Sequence, residues 1–114
     1  MTPGQAIRRV QDQLHDGETV RRWGEASLGD RQAGRRDRNP LRGAAAVTED
    51  RLIFSGGDEP DAVLVSIKRP DIESVHSYWE RSPAYSIVTV TGDGEYVFFG
   101  LSTSVRGALE SAIG

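Results

Sequence analysis

The stretch GAAAVTEDRLIFSG, residues 43–56, decides the fold class. Its two largely apolar arms, 43–48 and 51–56, flank the dipeptide Glu49-Asp50, an arrangement typical of a tight β-hairpin. Similar runs of Val, Ile, Thr and aromatic residues recur on both sides of it, separated by turn signals. The pattern predicts antiparallel strands from Glu18 to Gly100.

The same signals place the other strands of the predicted sheet. They are expected at Glu18–Leu28, Ala62–Lys68, Ile72–Trp79, Ala84–Thr91 and Glu95–Gly100. Gly24 is a candidate β-bulge within the first of them. The long polar stretch 29–42, which contains few apolar side chains, is predicted to be a loop.

Both ends of the chain show helical periodicity. Ile7, Val10 and Leu14 are spaced by three and four residues, which predicts a short amphipathic helix from about 3 to 15. A second helix with a wider apolar face is predicted behind the N-cap candidates Ser102 and Thr103, on the residues Val105, Ala108, Leu109, Ala112 and Ile113. The fold class is therefore α+β, mainly β, with seven strands between two helices.

Composition limits what this chain can be. It has 114 residues, of which 37% are hydrophobic, and this fits one domain with a modest core. It has no cysteine, which excludes disulfides, thiolate metal sites and a cysteine nucleophile. No signal peptide and no apolar segment long enough to cross a bilayer is found, so we expect a cytoplasmic protein.

Four phrases of the sequence resemble bacterial pleckstrin-homology-like and GRAM domains. They are Gly17–Val20, Ala46–Phe54, Ile67–Val75 and Glu95–Gly100. The resemblance implies a seven-stranded antiparallel half-open barrel that is capped by a C-terminal helix. The barrel would cover 17–114. The long loop 29–42 and the additional amphipathic helix in 1–16 depart from the family pattern.

The long loop carries a local excess of arginine in a chain of net charge −3. In the family, basic residues on the first two strands hold a phosphorylated headgroup, and Arg22 followed by Arg36-Asp37-Arg38 resembles that pattern. A guanidinium group suits this task because it can donate two parallel hydrogen bonds to a phosphate. The candidate lipid- or phosphate-binding residues are Arg22, Arg31, Arg35, Arg36, Arg38 and Arg42. The alternative is a solvated loop without a ligand.

Aromatic residues form a second candidate site. Trp23, Tyr78, Trp79 and Tyr85 are amphipathic side chains that suit a membrane interface or a protein contact. The alternative is that they pair across neighbouring strands and complete the sheet. Exposure of Trp23 in the folded protein would favour an interaction surface.

These observations predict a binding module that is not an enzyme. The two histidines, His15 and His76, have no partners at metal-ligand spacing, and no nucleophile or phosphate-binding motif is found. We expect no metal and no cofactor. The first hypothesis is peripheral attachment to an anionic membrane surface through the arginines. The alternative is a protein-interaction or homo-oligomeric scaffold domain, and the acidic remainder of the chain argues against nucleic acid.

Overall fold

A computed structural model describes residues 3–29, 41–57, 63–78, 80, 84–92 and 94–113. It is mainly β, with seven strands between an N-terminal and a C-terminal helix, as predicted. The elements in chain order are α1 Pro3–Asp12, β1 Arg22–Leu28, β2 Leu41–Val47, β3 Arg51–Gly56, β4 Val63–Lys68, β5 Ile72–Tyr78, β6 Tyr85–Val90, β7 Gly94–Phe99 and α2 Thr103–Ile113. A single turn of 3-10 helix, Arg69–Asp71, joins β4 to β5.

The strands form one open antiparallel sheet in the order β4-β3-β2-β1-β7-β6-β5. The edge strands are β4 and β5. The junction between β1 and β7 is narrow, because only Ser27↔Phe99 and Leu28↔Phe98 pair there. The sheet therefore consists of a β1–β4 half and a β5–β7 half that meet over a short contact.

The inner face of the sheet carries the main core. Phe54 and Phe98 are fully buried there, with ring centroids 5.7 Å apart in an edge-to-face arrangement. Val105 and Leu109 of α2 are buried against the same cluster, which confirms the predicted apolar face at those two positions. The backbone N–H of Val105 donates to Ser102 Oγ at 3.2 Å, so Ser102 caps α2 as predicted.

The outer face of the sheet carries a second, smaller apolar cluster beneath α1. Ala6, Ile7 and Val10 of the helix are buried against residues of β2 and β3. We call this group the satellite core, and its buried members are Ala6, Ile7, Val10, Ala44, Ala46 and Ile53. The amphipathic N-terminal helix thus packs on its own sheet.

Three sequence expectations need correction at element boundaries. The helix α1 ends at Asp12 rather than near residue 15, since Gln13 N–H bonds to the Val10 carbonyl in a tighter i to i−3 turn. β1 begins at Arg22 rather than at Glu18. The predicted loop 29–42 is wrong at its C-terminal end, because Arg42 already pairs with Ser27 in the β1–β2 ladder. The prediction for residues 30–40 lies outside the described residues.

The predicted β-bulge at Gly24 is wrong. β1 pairs with β2 without interruption from Arg22↔Val47 to Leu28↔Leu41. A Cβ atom at Gly24 would lie 3.0 Å from the hydroxyl oxygen of Ser102. The glycine is thus explained by the close approach of the start of α2 to β1.

Candidate interaction surface

The strand register aligns one row of side chains across five strands of the outer face. Tyr78 of β5 pairs with Tyr85 of β6, and Tyr85 pairs with Phe99 of β7. Phe99 pairs with Ser27 of β1, which in turn pairs with Arg42 of β2. Directly paired residues share a face of the sheet. We call these five residues the aromatic–arginine row.

The aromatic rings of the row lie against one another. The ring centroids of Tyr78 and Tyr85 are 4.8 Å apart with the planes 21° from parallel, and those of Tyr85 and Phe99 are 6.0 Å apart. A Cβ at Gly29 would approach the Phe99 ring to 2.8 Å, so this glycine leaves room for the ring. Tyr78 is still 42% exposed. The tyrosines thus pair across strands and also present a surface.

This part of the outer face is not part of either apolar cluster that the helices cover. Ile87 and Val97 pair with each other on the same face. Each lies two residues along its strand from a member of the row, Ile87 from Tyr85 and Val97 from Phe99. Both are half-buried and belong to neither the main core nor the satellite core. The outer face of β5–β7 therefore carries aromatic and aliphatic side chains that belong to neither core.

A pocket adjoins the arginine end of the row. It has a volume of about 320 Å³, and its lining includes Glu25, Ser27, Arg42 and Phe99. The volume is near the lower limit for pockets that bind small molecules. A carboxylate and a guanidinium group line the same pocket, so it suits a polar group beside the aromatic rings.

The structure does not bring Arg22 next to Arg42. Arg22 pairs with Val47, whereas Arg42 pairs with Ser27 at the other end of the β1–β2 ladder. Five residue steps separate these pairs, or roughly 17 Å along the strands. The Arg22 guanidinium donates instead to the Arg21 carbonyl at 2.7 Å.

The other predicted site residues have different outcomes. Trp23 lies on the outer face, where it pairs with Ala46, and its side chain is 47% exposed. This exposure favours an interaction surface. Trp79 lies outside the described residues, as do the remaining candidate arginines, Arg31, Arg35, Arg36 and Arg38.

Sequence reasoning missed Phe99 and Ser27 as members of the surface. The signal for Phe99 was available: Phe98 and Phe99 are adjacent on a strand, so one ring must point outward when the other fills the core. No local signal marked Ser27. Its position in the row depends on the β1–β7 junction, where Ser27 pairs with Phe99, a residue 72 positions later in the sequence.

A buried polar network lies elsewhere, between β3 and the segment before β1. Arg51 Nη2 donates to Glu18 Oε1 at 2.7 Å, and Arg51 Nε donates to Glu18 Oε2 at 3.0 Å. Thr48 Oγ1 also donates to Glu18 Oε2, at 2.8 Å. The hydrogen bonds from Arg51, with smaller contributions from His15 N–H and Thr48, lower the pKa of Glu18 to about 2 against the opposing effect of burial.

This network is suited to holding structure rather than to proton transfer at neutral pH, since Glu18 stays ionised and paired. Two motifs behind the family resemblance meet here, because Glu18 belongs to one phrase and Arg51 to another. His15 and His76 are exposed, and the described part of the chain contains no group of three or more His, Asp or Glu side chains placed to hold a metal ion.

Comparisons with known proteins define the fold and leave the function open. No protein-family model matches the chain, and no curated protein matches it. A solved structure of the C-terminal domain of an unknown protein from Leishmania infantum superposes with a TM-score of 0.67 at 15% sequence identity, covering 93% of this chain and 91% of that one. Within the described residues, neither helix has the length and apolar character needed to cross a bilayer.

Proposed function

We propose that this chain is a non-enzymatic, pleckstrin-homology-like binding module that attaches peripherally to anionic phospholipid surfaces. The observation that carries the proposal is the aromatic–arginine row. Two sets of residues that the sequence suggested separately, the aromatics and the arginines, have members side by side on a part of the outer face that lies outside the apolar cluster beneath α1.

The chemistry of the row suits a membrane interface. Tyrosine rings insert their apolar bodies at headgroup level and keep their hydroxyl groups in water. Arg42 lies in the same row and supplies positive charge, worth about 1 kcal/mol near an anionic leaflet. The segment that joins β1 to β2 carries four further arginines, Arg31, Arg35, Arg36 and Arg38, against two aspartates.

The expected attachment is electrostatic and weakly selective among anionic headgroups. A specific headgroup pocket would need several basic groups converging on one phosphate, and Arg22 lies far from Arg42 along the ladder. Binding should therefore follow membrane charge and weaken as salt screens that charge.

Co-sedimentation with vesicles tests this function. The full chain is mixed with vesicles of phosphatidylcholine alone or with phosphatidylglycerol added, at low and at high salt. We expect the protein to pellet with the anionic vesicles at low salt and to be released at high salt. Equal pelleting with both vesicle types, or none with either, contradicts the proposal.

A protein partner is the second candidate, and the stacked pair Tyr78–Tyr85 favours it. Preformed, partly exposed rings supply contact area at low entropic cost and are enriched at protein interfaces. A homo-oligomeric form of this candidate predicts a mass above that of one chain in size-exclusion chromatography with light scattering. It also predicts that Tyr78→Ser restores the monomer.

A further inference from the structure

The helix α1 is held on the domain by contacts that are separate from the main core. Its buried side chains Ala6, Ile7 and Val10 belong to the satellite core on the outer face. The main core lies on the opposite face, where α2 covers it. Departure of α1 would therefore expose the satellite core and leave the main core closed.

One side chain of the sheet holds both ends of the segment that follows α1. Arg51 Nη2 donates to the backbone carbonyl of Gln13 at 2.6 Å and to Glu18 Oε1 at 2.7 Å. Between those two points, the side chain of His15 is 76% exposed and Gly17 has a φ of +82°. Arg51 thus fixes a short exposed connection where the helix ends.

Other features limit how firmly α1 is seated. A helix of ten residues is too short to be stable in water alone, so it stays folded only while it is docked. On β2, the helix packs against the small side chains of Ala44 and Ala46, which offer little apolar area. Ser55 pairs with Ala44 on the same face, and its buried hydroxyl has no hydrogen-bond partner among the described residues. Opening of the face would give that hydroxyl access to water.

We propose that α1 is a detachable cover that opens as a unit while the main core stays folded, and that Arg51 controls how often it opens. Opening exposes Ala44, Ala46 and Ile53 on the outer face of β2 and β3. Trp23 pairs with Ala46, so the uncovered strip is continuous with a tryptophan that is already exposed. The cover thereby controls access to an apolar surface next to Trp23.

Thiol labelling can test this directly, because the chain has no cysteine of its own. Val10 in α1 and Val88 in the main core are both fully buried, so Val10→Cys and Val88→Cys form a matched pair. Under native conditions we expect the thiol at position 10 to react at least about 100-fold faster than the thiol at position 88, with a weaker urea dependence, as local opening requires. Equal rates with equal urea dependence would show that α1 opens only on global unfolding and would overturn the proposal.

The role of Arg51 is tested by adding Arg51→Gln to each cysteine variant. We expect the labelling rate at position 10 to rise at least about tenfold and to stay above the rate at position 88, because loss of the bond to the Gln13 carbonyl lowers the free energy needed for α1 to open. Arg21→Gln is the matched control, since Arg21 pairs with Glu49 at an exposed site. An unchanged labelling rate at position 10 in Arg51→Gln, or an equal rise there in Arg21→Gln, would contradict control by Arg51.

Hydrogen exchange of the unmodified chain gives the same answer if Val10→Cys does not fold. We expect the amides of residues 7–12 to exchange together, and faster than those of Tyr85–Val90 in β6. Exchange of both groups in one cooperative step would overturn the detachable cover.

Discussion

Arg51 and Glu18 form an ion pair that is buried between β3 and the segment preceding β1, with side chains only 9% and 2% exposed. The pair joins residues 33 positions apart, and Thr48 at the β2–β3 turn donates to the same carboxylate. The ion pair holds the chain in place just before β1, which begins to pair with β2 at Arg22↔Val47.

Acid should destabilise the protein through Glu18. Its pKa is lowered from 4.5 to about 2, so the ionised group stabilises the fold above pH 4.5 and this contribution is lost as the pH falls towards 2. The difference corresponds to about 3 kcal/mol in the free energy of unfolding. Urea denaturation at a series of pH values should show this loss, and Glu18→Gln should remove that part of the pH dependence. An identical slope in the two proteins would show that the carboxylate is not held in this way.

Removing one partner of the ion pair should cost more than removing both. Arg51→Met leaves the Glu18 carboxylate buried and unpaired, which should lower the free energy of unfolding by about 3 to 5 kcal/mol. The double variant Glu18→Leu with Arg51→Met should recover part of that loss, because no isolated charge remains. Chemical denaturation of the wild type, both single variants and the double variant measures the coupling. Simple addition of the two single losses would contradict it.

Gly43 should not tolerate a side chain. A Cβ atom there would lie 1.8 Å from the backbone carbonyl oxygen of Ser55, so β2 and β3 would have to move apart. We expect Gly43→Ala to destabilise the protein by more than about 2 kcal/mol. Gly107→Ala is the control: it lies in α2 with no atom within 4 Å of the added Cβ, and it should stabilise by about 0.5 to 1 kcal/mol. Thermal unfolding measures the Tm of both variants. A Tm that is unchanged or raised in Gly43→Ala, or lower in Gly43→Ala only by as much as in Gly107→Ala, would contradict this expectation.

Aromatic residues on the two faces of the sheet should differ in their effect on stability. Phe54 is fully buried in the main core, and Phe54→Ala should cost about 3 to 5 kcal/mol. Tyr78 on the outer face is 42% exposed, and Tyr78→Ala should cost less than about 1.5 kcal/mol, the value of one aromatic pair. Similar losses by urea denaturation would mean that Tyr78 stabilises the fold rather than providing a binding surface.

Much of the fold could be predicted from local patterns. A run rich in Val and Ile located β4, in which Ile67 is buried, and the spacing of Val105 and Leu109 located the buried face of α2. The hairpin between β2 and β3 followed from its turn residues. The predicted start of β1 at Glu18 and the predicted end of the loop at Arg42 were wrong because tertiary contacts decide these boundaries. Glu18 forms an ion pair with Arg51, and Leu41 already pairs with Leu28.

The candidate site was predicted only in pieces. Tyr78, Tyr85 and Arg42 could be selected as residue types, but their alignment depends on the strand order that places β7 beside β1. That order joins distant segments through two residue pairs, for which no local pattern exists. The register of β1 against β2 separates Arg22 from Arg42, and the sequence alone could not show that register.

The claim that the aromatic–arginine row binds anionic membranes is tested most directly by comparing two single arginine variants. Arg42 lies in the row and Arg22 lies at the far end of the same ladder, and both side chains are exposed. In titrations with phosphatidylglycerol-containing vesicles, Arg42→Gln should raise the Kd about fivefold, as expected for about 1 kcal/mol, and Arg22→Gln should raise it clearly less. Equal effects of the two variants, or an unchanged Kd for Arg42→Gln, would contradict the account.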